Sequence, residues 1–338
     1  MKITIHDVAR QAGVSTKTVS RVLNHQGEIS EDTRDRVQAV IDQMGYRPNI
    51  LARSLVNQRS YMLGVVSWGL DFYAPSRIVV GIEQRARELG YSLFLHLISD
   101  PAQGNAQQIL DTLAAHRVDG IIYAIPEVSA NHDWVQPAQL ENLPPLVFMN
   151  MPSRPGLLSV SVDNLQGGRI AARHLIEQGC QRIGVIRGPS GWWEAEERLS
   201  GWQEALEQAG LEIHPERIVE ADWSVESGMQ AMQALLRQSP DIDAVFASSD
   251  DIALGALTAA ARLGRRVPQD LALAGFDNIP QAAYFQPPLT TVHQPLARIG
   301  RAAVDLLHYQ IESGSQADSS PAILQEPELI VRASTLRV

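Results

Sequence analysis

The stretch that decides the fold of the amino-terminal part is IHDVARQAGVSTKTVSRVL, residues 5–23. Apolar residues recur at helical spacing in its first half; they are Ile5, Val8, Ala9 and Ala12. Gly13 can end this helix because glycine readily takes positive φ, and the Ser15 hydroxyl can cap the helix that follows. The pattern therefore predicts two short helices joined by a tight turn.

The second helix, residues 16–23, combines an apolar inner side with a polar outer side. The inner residues are Val19, Val22 and Leu23, and the outer residues are Thr16, Lys17, Ser20 and Arg21. Hydroxyl, ammonium and guanidinium groups can meet base edges and phosphates in a major groove. With a third amphipathic helix from about residue 30 to 44, the segment predicts an all-α helix-turn-helix head. A plain three-helix packing module is the alternative that this pattern leaves open.

A short basic segment follows the predicted head. Residues 49–56 could form two turns of helix, and isolated helices of that length usually need a partner to form. Three arginines flank or lie within this segment, which suits a negatively charged partner; they are Arg47, Arg53 and Arg59. The segment is therefore predicted to be a hinge, residues 48–60, between a head at residues 1–47 and the rest of the chain.

The motifs of this region resemble the head and hinge of the lactose-repressor/galactose-repressor (LacI/GalR) family. They are Asp7-Val8-Ala9, Gly13-Val14-Ser15, Thr18 to Asn24, Thr33-Arg34, Tyr46 to Asn49, and Ala52 to Leu55. The resemblance implies that Thr16, Lys17 and Arg21 contact bases or nearby phosphates. It also implies that Leu55 enters the minor groove as an apolar wedge; from the residues alone, Leu55 would be a buried linker leucine. The other DNA-binding positions implied are Ser15, Thr18, Ser20, Asn24, Tyr46, Asn49, Ala52 and Arg53.

Charge and cysteine content fit a DNA-binding head on an acidic body. Residues 1–60 carry a net charge of +3, whereas the 338-residue chain carries −10, so any attraction for phosphate lies in the head. The single cysteine, Cys180, excludes an intrachain disulfide and fits a reducing cytosol. The amino terminus has no apolar signal core, and no apolar run is long enough for a bilayer. These features predict a soluble cytoplasmic protein.

From residue 61 onward, short apolar runs alternate with amphipathic stretches. The predicted strands are 63–67, 92–98, 120–125, 146–151, 182–187, 244–248, 271–276, 289–294 and 329–333. The predicted helices are 76–89, 106–116, 165–178, 198–209, 224–237, 252–263 and 296–312. Repeated β-α units predict parallel sheets covered on both faces. They would form two lobes of an effector-binding and dimerisation core (61–338), the first at about 61–162 plus 293–338 and the second at about 163–292. The resemblance implies a periplasmic-binding-protein-like core with its ligand in the cleft between these lobes.

No pattern in the body predicts catalysis. A dinucleotide fingerprint and a phosphate-loop lysine are missing, and the Gly188-Pro189-Ser190-Gly191 stretch has the wrong spacing for a nucleophile elbow. The nine histidines show no metal-ligand spacing. The chain is therefore predicted to be a non-enzyme that needs no cofactor or metal.

Ligands of such lobes bind beyond the carboxyl ends of the strands. The predicted effector-binding residues at those positions, most of them matched to the family's sugar-responsive members, are Trp68, Asp71, Phe72, Asn150, Trp192, Glu194, Arg198, Trp223, Ser249, Asp277 and Gln294. Indoles can cover the C–H face of a sugar, while Arg198 and Asp277 can bond its hydroxyls. Trp193 is a further candidate, core filling is the alternative for any of these tryptophans, and Asp250 is either a site residue or a helix cap.

These observations predict a ligand-responsive transcriptional repressor that acts as a homodimer on a near-palindromic operator. A sugar or glycoside in the cleft would relieve DNA binding. A purine corepressor is the alternative within the family, because indoles also stack on purines. Two hypotheses lie outside this family function. One is a solute-binding protein without DNA affinity, and the other is a sugar-metabolising enzyme with a fused regulatory head.

Overall fold

The computed structural model describes residues 3–23, 29–46, 59–102, 105–135, 140, 142–314 and 322–336. Between Ser60 and Tyr61 the chain divides into two compact units. The first unit contains the predicted head. The second contains two six-stranded sheets, one in each lobe. The predicted fold class, two parallel-sheet α/β lobes preceded by an all-α head, is confirmed.

Three helices form the head: α1 (Ile5–Ala12), α2 (Thr16–Leu23) and α3 (Glu31–Met44). Gly13 has φ of 67° and ends α1, and the reciprocal bonds between Thr4 and Asp7 cap its start. The three helices meet around Val8, Val19 and Val37, each fully buried. The predicted hinge helix, residues 49–56, lies outside the described residues.

The first lobe contains a wholly parallel sheet. In spatial order its strands are β2 (Ser92–Ile98), β1 (Met62–Trp68), β3 (Gly120–Tyr123), β4 (Leu146–Met149), β5 (Leu158–Val162) and β11 (Ala322–Gln325). Successive residues of β1 point to opposite faces, as strand geometry requires: Val65 and Val66 belong to separate buried clusters. The helices of this lobe are α4 (Tyr73–Glu88), α5 (Ala106–Ala115) and α10 (Leu296–Ser313).

The second lobe repeats this design with one antiparallel edge strand. In spatial order its strands are β7 (Ile218–Glu220), β6 (Ile183–Arg187), β8 (Ala244–Ala247), β9 (Ala272–Asp277), β10 (Thr290–His293) and β12 (Glu328–Ile330). Its helices are α6 (Asn164–Glu177), α7 (Trp193–Gln208), α8 (Val225–Gln238) and α9 (Asp250–Arg262). Short 3-10 turns lie at Pro215–Arg217 and Pro280–Tyr284.

The carboxyl-terminal part of the chain is shared between the lobes. α10 and β11 belong to the first lobe, within the predicted 293–338 segment. The prediction that the last strand also returns there is wrong, because β12 pairs antiparallel with β10 in the second sheet. Ser334 and Thr335 then bond Thr290 within the second lobe, so these two residues also belong to that lobe.

The described residues contain no helix that is long and apolar enough to cross a membrane. Within the same residues, no three His, Cys, Asp or Glu side chains are grouped so that they could hold a metal ion. Cys180 is buried in a core cluster of the second lobe.

Candidate effector cleft and DNA-binding head

A cleft of about 670 Å³, including its open mouth, lies where strands of both sheets end. Ten of the eleven predicted effector residues line it: Trp68, Phe72, Asn150, Trp192, Glu194, Arg198, Trp223, Ser249, Asp277 and Gln294. Asp71 is not among the residues that line the cleft. This residue lies in the turn before α4, and its side chain is exposed.

Arg198 is a buried cation in the wall of the cleft. Its Nε donates to Asn164 Oδ1 at 2.8 Å and its Nη1 donates to the Ser248 carbonyl at 2.6 Å. The guanidinium carbon lies 3.8 Å from the centre of the Phe276 ring. Burial lowers the pKa of Arg198, and the charges of Asp277 and Glu194 oppose that shift. The side chain is thus fixed by three contacts and keeps further N–H groups for a ligand.

Asp277 closes β9 in an unusual backbone conformation. Its φ is 117°, and Asn278 follows with φ of 55°; both values are uncommon for residues other than glycine. Gln294 Nε2 donates to Asp277 Oδ1 at 2.5 Å. Burial raises the pKa of Asp277, while Arg198 and the Gln294 bond act in the opposite direction. Such strain is often found where a side chain is held for binding.

Glu194 and Asp251 bring two further carboxyl groups to the cleft. Neither has a hydrogen-bond donor or ion-pair partner in the described part of the chain. Burial raises the pKa of Glu194 to about 7, with Arg198 lowering it and Asp277 raising it. Burial also raises the pKa of Asp251. The cleft is therefore rich in acceptors that the protein itself leaves unpaired.

Three indole rings cross the cleft from one lobe to the other. The Trp192 ring centre lies 5.0 Å from that of Trp68 and 5.7 Å from that of Trp223, and the planes are tilted by 58° and 77°. Phe72 packs against Trp68 at 5.4 Å. The rings are thus set at angles to one another and enclose space for an apolar ligand face.

Backbone bonds join the lobes beside Trp192. Trp193 N donates to the Glu127 carbonyl at 3.0 Å, and Ser129 N donates to the Gly191 carbonyl at 2.7 Å. Val128 and Trp192 form an isolated antiparallel bridge between these bonds. A displacement of Trp192 would therefore disturb backbone hydrogen bonds that join the two lobes.

Residues outside the predicted effector-binding set also line the cleft. They are Tyr73, Ala74, Pro75, Ile78, Pro126, Asp251 and Leu296. α7 begins at Trp193, five positions earlier than predicted, so Arg198 lies beyond its first turn. Trp193 does not line the cleft, and Trp202 is fully buried in the core. Of the two alternatives for Asp250, the helix cap is wrong, because Ser249 caps α9 by accepting from Ile252 N at 3.1 Å.

The head presents a polar surface along α2. Ser15, Lys17 and Arg21 are exposed, and Thr16, Thr18 and Ser20 are half-buried. Ser15 Oγ accepts from Thr18 N at 3.1 Å and so begins the helix. The Tyr46 ring packs on the head core, and burial raises its pKa. The other predicted DNA-binding residues, Asn24, Asn49, Ala52, Arg53 and Leu55, lie outside the described residues.

Comparisons with known proteins agree with this architecture. The family profile described as bacterial regulatory proteins, lacI family, matches residues 4–49, and that of the periplasmic binding protein-like domain matches residues 172–335. The HTH-type transcriptional repressor PurR of Klebsiella pneumoniae (strain 342) is 36% identical over 333 residues, which are 98% of this chain and 96% of that protein.

Two solved structures show the same likeness over nearly the whole length. The complex of the transcriptional regulator CelR with cellobiose has a TM-score of 0.73 and 33% identity, covering 98% of this chain and 99% of the other. The lac repressor dimer bound to operator and the anti-inducer ONPF has a TM-score of 0.85 and 32% identity, covering 99% and 100%.

A helix-turn-helix head followed by two parallel-sheet lobes with a ligand cleft defines a ligand-responsive DNA-binding repressor. The chain belongs to the LacI/GalR family of transcriptional regulators.

Proposed function

We propose that the effector of this repressor is a sugar or glycoside that binds in the cleft and weakens operator binding. The observation that carries the proposal is the pairing of unpartnered carboxyl groups with indole rings in one cleft. The carboxyl groups of Glu194 and Asp251 are half-buried and line the cleft, so each can accept a hydrogen bond from a bound ligand. Sugar hydroxyls are donors arranged around an apolar ring face, so one sugar can donate hydrogen bonds to the carboxyl groups and also pack against the indole rings.

The buried guanidinium adds the complementary contact. Arg198 can donate to the hydroxyl oxygens that are not donating to Asp277, and such charge-assisted bonds are the stronger kind. A sugar lacking one hydroxyl would leave a buried group unpaired, which gives the site its means of discrimination. The similar transcriptional regulator CelR is solved in complex with cellobiose, which supports this ligand class.

A purine corepressor is the second candidate. PurR proteins are among the relatives, and the tilted indoles could stack on a purine as well as on a sugar. A purine would strengthen operator binding, whereas the proposed sugar weakens it. The direction of the response therefore distinguishes the two.

The DNA contacts proposed for the head follow from its exposed side chains. Lys17 and Arg21 on α2 would reach bases or phosphates, and a homodimer would place two heads on a near-palindromic operator. Effector control requires different effector affinities in the DNA-bound and free states, because equal binding shifts no equilibrium. A coupling of about 1–3 kcal/mol is typical.

The proposal is tested by thermal unfolding with a panel of monosaccharides, disaccharides, glycosides and purines. A ligand at one hundred times its dissociation constant should add about 2.7 kcal/mol of stability. Any ligand that stabilises the protein is then added to the complex with an operator selected from a random duplex pool. Release of DNA by a sugar supports the proposal, and tighter DNA binding with a purine overturns it.

A conservative substitution tests the role of the cleft. Arg198→Lys keeps the charge but loses the planar fork, so we expect effector affinity to fall at least tenfold, about 1.4 kcal/mol. Operator binding without effector should stay unchanged. Arg169→Lys is the matched control, because Arg169 pairs with Glu204 and does not line the cleft. Equal losses in both variants would contradict the assignment.

A further inference from the structure

The direction of the Asp277 side chain depends on an unusual backbone. Both Asp277 and Asn278 have positive φ, at 117° and 55°. L-residues rarely adopt such a conformation without support from their surroundings. The contacts made by the next peptide groups therefore decide whether the Asp277 carboxyl stays in the cleft.

Asp250 supplies that support from the first residue of α9. It is fully buried, and its Oδ2 accepts from Ile279 N at 2.8 Å. Its Oδ1 accepts from Thr291 Oγ1 at 2.6 Å, and the same hydroxyl accepts from Asn278 N at 3.2 Å. The carboxyl group thus holds two consecutive peptide N–H groups directly after Asp277, one by itself and one through Thr291.

The neighbouring strands leave room for this arrangement. Gly275 lies in β9 opposite Thr291 of β10, and a Cβ on Gly275 would lie 2.4 Å from Asp250 Oδ1. Only glycine at this position lets the carboxyl group lie against the sheet. On the other side, Arg332 Nη2 donates to Asn278 Oδ1 at 2.7 Å, so the turn is fastened from two directions.

Electrostatics show that the arrangement has a cost. Burial raises the pKa of Asp250, and the nearby charge of Asp277 raises it further, while the bonds from Thr291 and Ile279 oppose that rise. Two carboxyl groups at close range disfavour each other's ionisation. The unfavourable placement of Asp250 beside Asp277 is offset by the hydrogen bonds through which Asp250 fixes the turn.

We propose that Asp250 and Thr291 are positioning residues that hold the 277–279 turn so that Asp277 faces the effector. They line no part of the cleft themselves, and they act through Asp277. The inference rests on the proposed function only in taking Asp277 as an effector contact. The structural half of the proposal, that the Thr291 hydroxyl fixes the Asn278 amide, can be tested without any ligand.

The experiment compares Thr291→Val with Thr291→Ser in the full-length protein. Valine has the shape of threonine without its hydroxyl, and serine keeps the hydroxyl without the methyl group. Native-state hydrogen exchange would be measured at the Asn278 and Ile279 amides, and binding of cellobiose would be followed by calorimetry. We expect at least tenfold faster exchange at Asn278 in the valine variant, with unchanged protection elsewhere in the second lobe, and near-normal exchange with serine.

Affinity for cellobiose should fall at least tenfold in the valine variant and no more than threefold in the serine variant. Equal exchange at Asn278 in both variants would overturn the positioning role. Faster exchange with undiminished cellobiose affinity would also overturn it, because the turn would then not serve the effector. If the wild-type protein does not bind cellobiose, that ligand is removed from the proposed function, and exchange at Asn278 alone decides the positioning role.

Discussion

Gly188 lies directly against the indole of Trp223, so close that a Cβ on Gly188 would come within 2.2 Å of Trp223 Cη2. Gly188 follows β6, at the end of the strand where the cleft begins. The missing side chain allows the indole to lie on the backbone, and the Trp192 ring lies 5.7 Å away at an angle of 77°. The position of an aromatic wall of the cleft is thus set by a residue that does not itself line the cleft.

Gly188→Ala is therefore expected to displace Trp223. We predict at least a tenfold loss of effector affinity, about 1.4 kcal/mol, with operator binding retained in the absence of effector. Titration calorimetry with the ligand found by the thermal panel measures the loss. Gly184→Ala in β6 is the control, because its Cβ would lie 3.1 Å from the flexible end of Leu235 and 3.3 Å from the Arg217 carbonyl oxygen, much farther than the 2.2 Å approach at Gly188. A similar loss in both variants would point to general damage of the lobe.

The raised pKa of Glu194 leads us to expect that the stability of the protein depends on pH. Its pKa in the folded protein is raised from 4.5 to about 7 by burial, so the folded state binds more protons than the unfolded state between these values. Stability from this group is present below pH 4.5 and is lost as the pH rises through 7. Glu194→Gln removes the titration, so the variant should gain stability relative to wild type from pH 5 to pH 8. Denaturant unfolding at several pH values measures the difference, and a constant difference would refute the assignment.

Lys17 predicts a salt effect in the head. It is exposed on α2, and each phosphate contact contributes about 0.9 to the slope of log affinity against log salt concentration. Lys17→Ala should weaken operator binding and reduce that slope by about one. Fluorescence anisotropy at several salt concentrations measures both. Arg36→Ala is the control, since Arg36 pairs with Asp32 on α3. An equal change in operator affinity and salt slope in that variant would mean that the net charge of the head, and not a contact of Lys17, determines operator binding.

Much of the fold could be predicted because its helices and central strands have long, regular patterns. The exceptions have physical reasons. β5 was missed because Ser159 and Ser161 interrupt its apolar run, although both are buried in the sheet. β7 and β11 were missed because three or four residues at a sheet edge carry little periodic signal. Which lobe contains β12 depends on its long-range pairing with β10, and local sequence patterns do not predict such pairing.

Placement in the cleft could be predicted for residues that follow strand ends, but not where local chain geometry decides. Asp71 and Phe72 are adjacent in sequence, yet Phe72 turns toward Trp68 while Asp71 is exposed. The turn that separates them is set by Gly69, with φ of 50°, and by the bond from Phe72 N to its carbonyl. Asp251 was missed because helix periodicity does not tell which side of the first turn of α9 faces a cleft.

The order of strands along the chain has a consequence for synthesis. The first sheet receives its last strand at Ala322–Gln325 and the second at Glu328–Ile330. A nascent chain emerging from the ribosome amino terminus first can form the three head helices early, but both sheets are finished only when this late stretch appears. The head can therefore fold in the growing polypeptide before the lobes that form the ligand cleft are complete.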